Sequence, residues 1–513
     1  MSTTIHRRSF FRHAGVLAGV AGGLETLHGA SQKAGTQPGR IIFMVADGMS
    51  PSVLPLAEQF SLRVRGKGLL WQALLDRPEA QRGWMDMASL DSLVTDSSSA
   101  SSSWGSGSRI FNGWVNMLPD GTRLTPVMDL MRDKGYLTAL VTTATVTHAT
   151  PAGFAASVRR RDDEHLIAEQ YLGKVDIILG GGRRFFSPDS RKDGRDLAAA
   201  FRAAGYAHVE NRRQMQEKAG AATRMLGLFS GSHLPYTVDH LNSDTARELV
   251  PTLAEMAETA LAMLEKQNKP FLIQIEGARV DHAAHANDAA GLLWDQIAFD
   301  EAIEAVLRFA EGKPGTLVVI ASDHGNANPG LVGMGLEYRQ SNACFERLAS
   351  IKASFNAISP HLAGTAEYSM NPQQASGVAG GPPTIARIQE LAEQYFGFRF
   401  TPEEAGVLRR CAAGERKLCL NRQLDSAVGI LGQAVGNHTG IHWTGTTHTS
   451  DYTLVTALGP GAGRFSGFLR NTTVFTTLTG LAGIRFRNPS MDPAQALKYR
   501  QVAFTPRLRP DWA

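Results

Sequence analysis

The stretch FLIQIEGARVDHAAH, residues 271–285, decides how the chain is read. A β-leaning run, Phe271 to Ile275, delivers Glu276 and Gly277. Asp281 and His285 come next, four residues apart, so one helical turn puts them on the same side. A long helix is expected over roughly 288–311. The same grammar recurs elsewhere. Ile41 to Val45 is an unbroken apolar run, of the kind buried inside a parallel sheet, and it ends at Ala46-Asp47-Gly48. Thr316 to Ile320 ends at Asp323-His324-Gly325. Tyr136 to Thr142 and Val175 to Leu179 read as further strands, with helices expected at 126–134 and, from Pro251 as first residue, at 251–267. Strands alternating with helices predict an α/β fold: a doubly wound, mostly parallel central sheet flanked by helices. Acids and imidazoles at the ends of separate strands predict one shared rim, where open sheets place their sites.

The stretch TDSSSASSSWGSG, residues 95–107, supplies a nucleophile. Ser97 falls at a strand-to-helix junction, where free backbone N–H groups and the helix dipole favour an anion. A bare serine hydroxyl needs activation. A register slip by one residue makes Ser98 the candidate.

The remaining polar residues sort by donor type. Asp281, His285 and His448 supply one carboxylate and two imidazoles, an open catalytic zinc set. Asp47, Asp323 and His324, completed by the Ser97 oxygen, make a second zinc set. Two such ions about 4 Å apart clamp the entering and leaving oxygens of phosphoryl transfer. Glu276, Thr150 and the other oxygen of Asp47 make a hard, all-oxygen site of the kind magnesium prefers.

Bulk properties set bounds. The formal charge of the 513 residues is +4, and Arg7, Arg8 and Arg12 against Glu25 place +2 of it in residues 1–30. The near-neutral remainder argues against a nucleic-acid-binding surface. The three cysteines, Cys344, Cys411 and Cys419, contain no C-x-x-C spacing, which argues against a thiolate zinc site; Cys411 and Cys419 either pair in an oxidising compartment or stay as thiols. The pattern His6-Arg7-Arg8-Ser9-Phe10-Phe11-Arg12, followed by an apolar, glycine-rich run and small residues near Ala30, reads as a twin-arginine-type export signal over residues 1–30. That sends the protein to the periplasm or outside the cell. No later stretch reads as a transmembrane helix. The catalytic unit is expected over 38–325 plus 436–485. Residues 326–435 break the rhythm, with helices at about 383–396, 402–412 and 421–434. They read as a helical insertion that caps the site or makes an oligomer contact. Val455 to Gly461 and the next β-leaning segment complete the sheet edge, and residues 486–513 form a solvated tail.

Taken together, the motifs resemble those of the alkaline phosphatase family. Asp47-Gly48-Met49, Val94-Thr95-Asp96-Ser97, His148-Ala149-Thr150-Pro151, Glu276-Gly277-Ala278 through Asp281 to His285, Ser322-Asp323-His324-Gly325 and His448-Thr449 occur in that family's order. The resemblance implies hydrolysis of phosphate monoesters through a phosphoserine on Ser97, with two zinc ions and one magnesium. It maps the phosphate-gripping arginine to Arg161, with Arg160 as fallback, and a planar fork suits that work. It implies inorganic phosphate as product and leans towards a homodimer. His148 and His282 stand where the family varies. His148 is taken as a ligand of the third metal position, and His282 as a neighbour without metal contact. Activity is expected to rise towards alkaline pH. Two rivals remain in view: a related phosphodiesterase, and a secreted metal- and phosphate-binding protein without catalysis. The sulfatase nucleophile motif is absent around Ser97.

Overall fold

The computed structural model describes residues 37–362 and 381–499. The export-signal reading at 1–30 and the end of the expected tail lie outside the described residues. A ten-stranded sheet organises the chain. Its strands are β1 (Arg40–Ala46), β2 (Gln81–Asp86), β3 (Leu137–Thr145), β4 (Ile177–Gly181), β5 (Ala207–Val209), β6 (Met225–Leu228), β7 (Phe271–Gly277), β8 (Thr316–Ser322), β13 (Thr453–Leu458) and β14 (Gly467–Arg470). Two short ribbons account for the other numbers: β9 (Gly325–Asn326) with β12 (His448–Thr449), and β10 (Gly330–Leu331) with β11 (Ile441–His442). The order across the sheet is β14-β2-β13-β8-β1-β7-β3-β4-β6-β5. Every pairing is parallel except those of β13, which runs antiparallel to both β8 and β2. The expected last strand therefore lies inside the sheet, and β14 forms the edge.

β1 shows why the sheet is covered on both sides. Ile42, Met44 and Ala46 point into one core, Ile41, Phe43 and Val45 into the other. The first core packs against helices α1 (Val53–Val64), α4 (Leu253–Lys266), α5 (Arg279–His285) and α6 (Ala289–Ala310). The second packs against α2 (Ser97–Ser106) and α3 (Ala149–Ala155). Thr252, not Pro251, caps the start of α4: its hydroxyl accepts from Glu255 N–H, and its own N–H donates to the Glu255 carboxylate.

Between β10 and β11 the described residues are mostly helical, including α7 (Ile385–Phe396), α8 (Pro402–Ala412) and α9 (Ala427–Thr439). The last begins six residues later than expected, capped by Ser426. Ile388, Leu408 and Leu431 share the core of α1, α4 and α6. The end of the described chain is not uniformly solvated. Buried Asn488 donates to the carbonyls of Ser106 and Thr125, each at 2.9 Å, and Ala496 packs against Leu90 and Phe111. Polar sequence hid this, because the buried groups there are hydrogen-bonded amides. All three cysteines are thiols. Among the described residues no helix is long and apolar enough to cross a membrane.

Candidate active site

The serine-rich run is a buried helix. Asp96 caps α2, with Oδ1 accepting from Ser99 N–H at 2.8 Å. The serines turn their hydroxyls inward: Ser103 and Ser106 donate to carbonyls four residues back, and Ser101 donates to Thr150 O at 2.5 Å. Glycine does the rest. A Cβ on Gly105 would collide with Gly153 O, so α2 and α3 pack backbone to backbone. That contact ties Ser97 to Thr150. The Ser97 and Ser98 alternatives separate by geometry. The Ser98 hydroxyl donates to Asp96 Oδ2 at 2.6 Å, while Ser97 Oγ stands 3.2 Å from His324 Nε2.

Around Ser97 the strand ends converge. β1 and β8 are in register from Arg40 and Thr316 onward, so Asp47 and Asp323 leave the sheet side by side. His324 Nε2 lies 3.5 Å from Asp47 Oδ1 and 3.2 Å from Asp323 Oδ2. Gly48 takes φ +65°, which lets its N–H donate to Asp323 Oδ1 at 2.9 Å. A side chain there would strike Asp281 Oδ1. Pairing of β12 with β9 sets His448 opposite Asn326, which brings His448 Nε2 to 3.0 Å from His285 Nε2 and 3.6 Å from Asp281 Oδ1.

The imidazole protons are fixed from behind. His285 Nδ1 is 2.7 Å from Thr446 O, His448 Nδ1 is 2.8 Å from Thr95 O, and His324 Nδ1 is 3.3 Å from Gly325 O. A carbonyl only accepts, so each Nδ1 carries the proton and each Nε2 presents a lone pair. Lone pairs facing lone pairs at 3 Å call for a cation between them.

The carboxylates make the same demand. Asp47, Glu276 and Asp323 are fully buried. Neither oxygen of Asp47 has a hydrogen-bond partner, nor do Asp323 Oδ2, Glu276 Oε1 and Thr150 Oγ1. Burial, together with Asp323, Asp281 and Glu276, pushes Asp47 well above its ordinary range. Burial pushes Glu276 and Asp323 up to about 7. Burial drives His324 down to about 4. Acids that resist ionising and imidazoles that resist protonating are a donor set built for metal. Three groups have ligand atoms within 4.8 Å of one another: Asp281, His285 and His448; Asp47, Asp323 and His324; and Asp47, His148 and Glu276. Thr142 holds Glu276 Oε2 at 2.5 Å, and Asn326 holds Asp281 Oδ1 at 2.7 Å.

Arg161 reaches the same place. Its guanidinium donates to Asp96 Oδ2 at 3.1 Å and stands 3.1 Å from His148 Nε2. Arg160 points to solvent beside Asp162. A cavity of about 210 Å³ opens onto Ser97, His148, Arg161, Asp281, His285 and His448. All eleven residues singled out from sequence therefore meet in one region. Burial and the neighbouring Arg161 push His148 down to about 3, which keeps it neutral.

A sequence model of the family described as alkaline phosphatase matches residues 39–484. The chain belongs to the alkaline phosphatase family. Among curated relatives, the repressible alkaline phosphatase of Saccharomyces cerevisiae is 34% identical over 55% of this chain and 54% of its own length. The chain thus spans about half of that relative. Alkaline phosphatase 3 of Bacillus subtilis is 29% identical over 74% of this chain and 75% of its own. Among solved structures, the Thermus thermophilus alkaline phosphatase superposes with a TM-score of 0.81 at 33% identity, covering 91% of this chain and 95% of the other.

Within this alkaline phosphatase fold, sequence reasoning missed several residues that border the cavity: His233, Asp162 and Glu164. It also missed the anchors Asp96, Thr142 and Asn326 as partners of Arg161, Glu276 and Asp281. His233 lies after β6 in a loop with no motif around it. Its strand-end position, like that of Asp47, was the one available signal.

Proposed function

We propose that the chain is a metal-dependent alkaline phosphatase that hydrolyses phosphate monoesters through a phosphoserine on Ser97. One observation carries the reading: a serine hydroxyl at a helix N-terminus borders the same cavity as Arg161 and the Asp281, His285 and His448 set, and stands 3.2 Å from His324 of the Asp47, Asp323 and His324 set. Asp281, His285 and His448 would hold one zinc, Asp47, Asp323 and His324 a second, and Asp47, Thr150 and Glu276, with His148 beside them, a magnesium. Bound there, the ions supply counter-charge for the serine oxygen and for the leaving oxygen.

The chain's own residues do the rest. Ser97 Oγ forms the new bond to phosphorus while the ester oxygen departs with the alcohol. Water then opens the phosphoserine and restores Ser97. Arg161, held in orientation by buried Asp96, offers two parallel N–H groups to the phosphoryl oxygens. Asp96 thereby serves both the helix cap and the arginine. Hydrolysis of p-nitrophenyl phosphate with zinc and magnesium supplied, with acid trapping of labelled phosphoserine, tests the reading. A dominant rate on a phosphodiester would overturn it.

The same reading includes export by residues 1–30, a catalytic unit over 38–325 plus 436–485 interrupted by 326–435, and pairing into a homodimer. The twin-arginine sequence supports the first, and the family supports the rest. N-terminal sequencing of the exported protein and sedimentation equilibrium test them.

A further inference from the structure

The cavity beside Ser97 has a second wall that the phosphoserine reaction leaves idle. His233 and His282 form it, with ring centroids 4.4 Å apart. Behind each ring stands a donor. Thr145 N–H donates to His233 Nδ1 at 3.2 Å, and Arg279 Nη1 donates to His282 Nδ1 at 2.7 Å. Neither an amide nitrogen nor a guanidinium accepts, so each Nδ1 holds the lone pair and each Nε2 carries the N–H. Among the described residues no protein acceptor meets either Nε2.

Both rings are held firmly. Arg279 is 4% exposed and lies 3.6 Å over the Tyr236 ring. The loop carrying His233 is tied to β3 by Leu234 N–H to Thr143 O at 2.9 Å, and to the end of β4 by Gly182 N–H to Ser232 O at 2.8 Å. Thr143 Oγ1 also accepts from Ala278 N–H at 2.9 Å, so the end of β3 positions both halves of the wall.

Each ring is neutral, because its Nδ1 accepts, and arginines stand around the pair. Arg279, Arg184 and Arg161 stand near His233, and Arg279 also stands beside His282. Three acids also border the cavity: the hydroxyls of Thr145 and Thr147 hold Glu164 Oε2, Asp162 is exposed beside Arg160, and Asp281 faces His285 and His448. Two N–H donors with Arg161 across the cavity and Arg279 behind them recognise an anion. At about 210 Å³ the cavity is smaller than the ~300–1,000 Å³ of drug-sized sites. It takes a phosphoryl group and a few atoms more.

We propose that His233 and His282 form a second oxyanion subsite, making phosphomonoesters with a carboxylate or phosphate close to the ester oxygen the preferred substrates. This rests on the phosphatase reading of the same cavity. The test compares kcat/KM for 2-phosphoglycolate and for ethyl phosphate, which lacks the second anion. In His233→Asn the amide oxygen still accepts from Thr145 N–H, but the Nε2 donor is gone. The wild-type protein is expected to favour phosphoglycolate, and the ratio to fall about tenfold in the variant, as for loss of one hydrogen bond to a charged group. His282→Asn is read the same way should His233→Asn fail to fold. A wild-type preference for ethyl phosphate, or a ratio unmoved in a folded variant, overturns the subsite and leaves the phosphatase reading standing. A metal-loaded wild-type protein that turns over neither ester overturns both.

Discussion

Two groups of histidines meet around Ser97 and face it in opposite senses. On the side built by β1, β7, β8 and β12, backbone carbonyls sit behind His285, His324 and His448, so their lone pairs point inward. Behind His233, in the loop after β6, and His282, on the same helix α5 as Asp281, sit donors instead, so their Nδ1 atoms accept and their Nε2 atoms carry the N–H. The side chain is the same in both. What differs is whether the atom behind the ring accepts or donates. That choice, made by strand ends, turns one half of the rim towards cations and the other towards anions.

The largest effect should come from the serine between the halves. Ser97→Ala is expected to lower turnover by on the order of 10³-fold or more while zinc and magnesium content stays as in wild type. Elemental analysis beside the assay reads both, and retained turnover would remove Ser97 from its role.

Chelation should strike the cation-facing half alone. Without metal, Glu276 and Asp323 stay protonated up to about 7, against ordinary values near 4. Groups raised in the folded state stabilise fully below their unfolded pKa, and that stability disappears as pH rises through the folded one. In the chelated protein these two carboxyls should therefore cost stability between pH 4 and 7, against the gain that His324 and His148, held down to about 4 and about 3, give up to about pH 6.5; the loaded protein should show neither change at its ligands. A ramp common to both forms belongs to Asp295 and Asp300, which burial pushes up to about 7 and about 6 away from the rim. Urea midpoints at pH 5 and 8 with and without EDTA separate the two. Identical slopes would mean that the rim carboxylates hold no metal.

On the boundary stands Arg161. Arg161→Ala should weaken inhibition by inorganic phosphate about 10- to 100-fold, the worth of a paired hydrogen bond to an anion. An unchanged inhibition constant would leave the phosphate to the other donors of the cavity.

The cation-facing half was legible in the sequence because each of its members announces itself locally. Asp47 and Asp323 end apolar strands, and Asp281 and His285 are spaced for one helical face. His233 makes no such announcement. Its orientation depends on Thr145, 88 residues away along the chain. Asp96 read as the neighbour of a nucleophile, although its carboxylate meets Arg161, 65 residues on. The antiparallel insertion of β13 between β8 and β2 was hidden for the same reason, since pairing partners are chosen by long-range packing. Buried Asn488 was misread as tail because an amide looks polar whether or not its bonds are made inside.

The smallest effect should come from a residue that touches no substrate. Asn326 donates through Nδ2 to Asp281 Oδ1 at 2.7 Å and reaches Asp281 O at 3.2 Å, while its own strand partner is His448. It thus ties a carboxylate on a helix to an imidazole on a ribbon. Removing the amide leaves both ligands in place but frees the carboxylate to turn. Outer partners of this kind are worth roughly 10- to 100-fold in metal affinity, and Gly48, pressed against Asp281, limits how far it can move. Asn326→Ala should accordingly weaken zinc binding about tenfold and leave the phosphoglycolate-to-ethyl-phosphate ratio at saturating zinc unchanged. A change in that ratio with zinc affinity intact would show that the two halves of the rim are not independent.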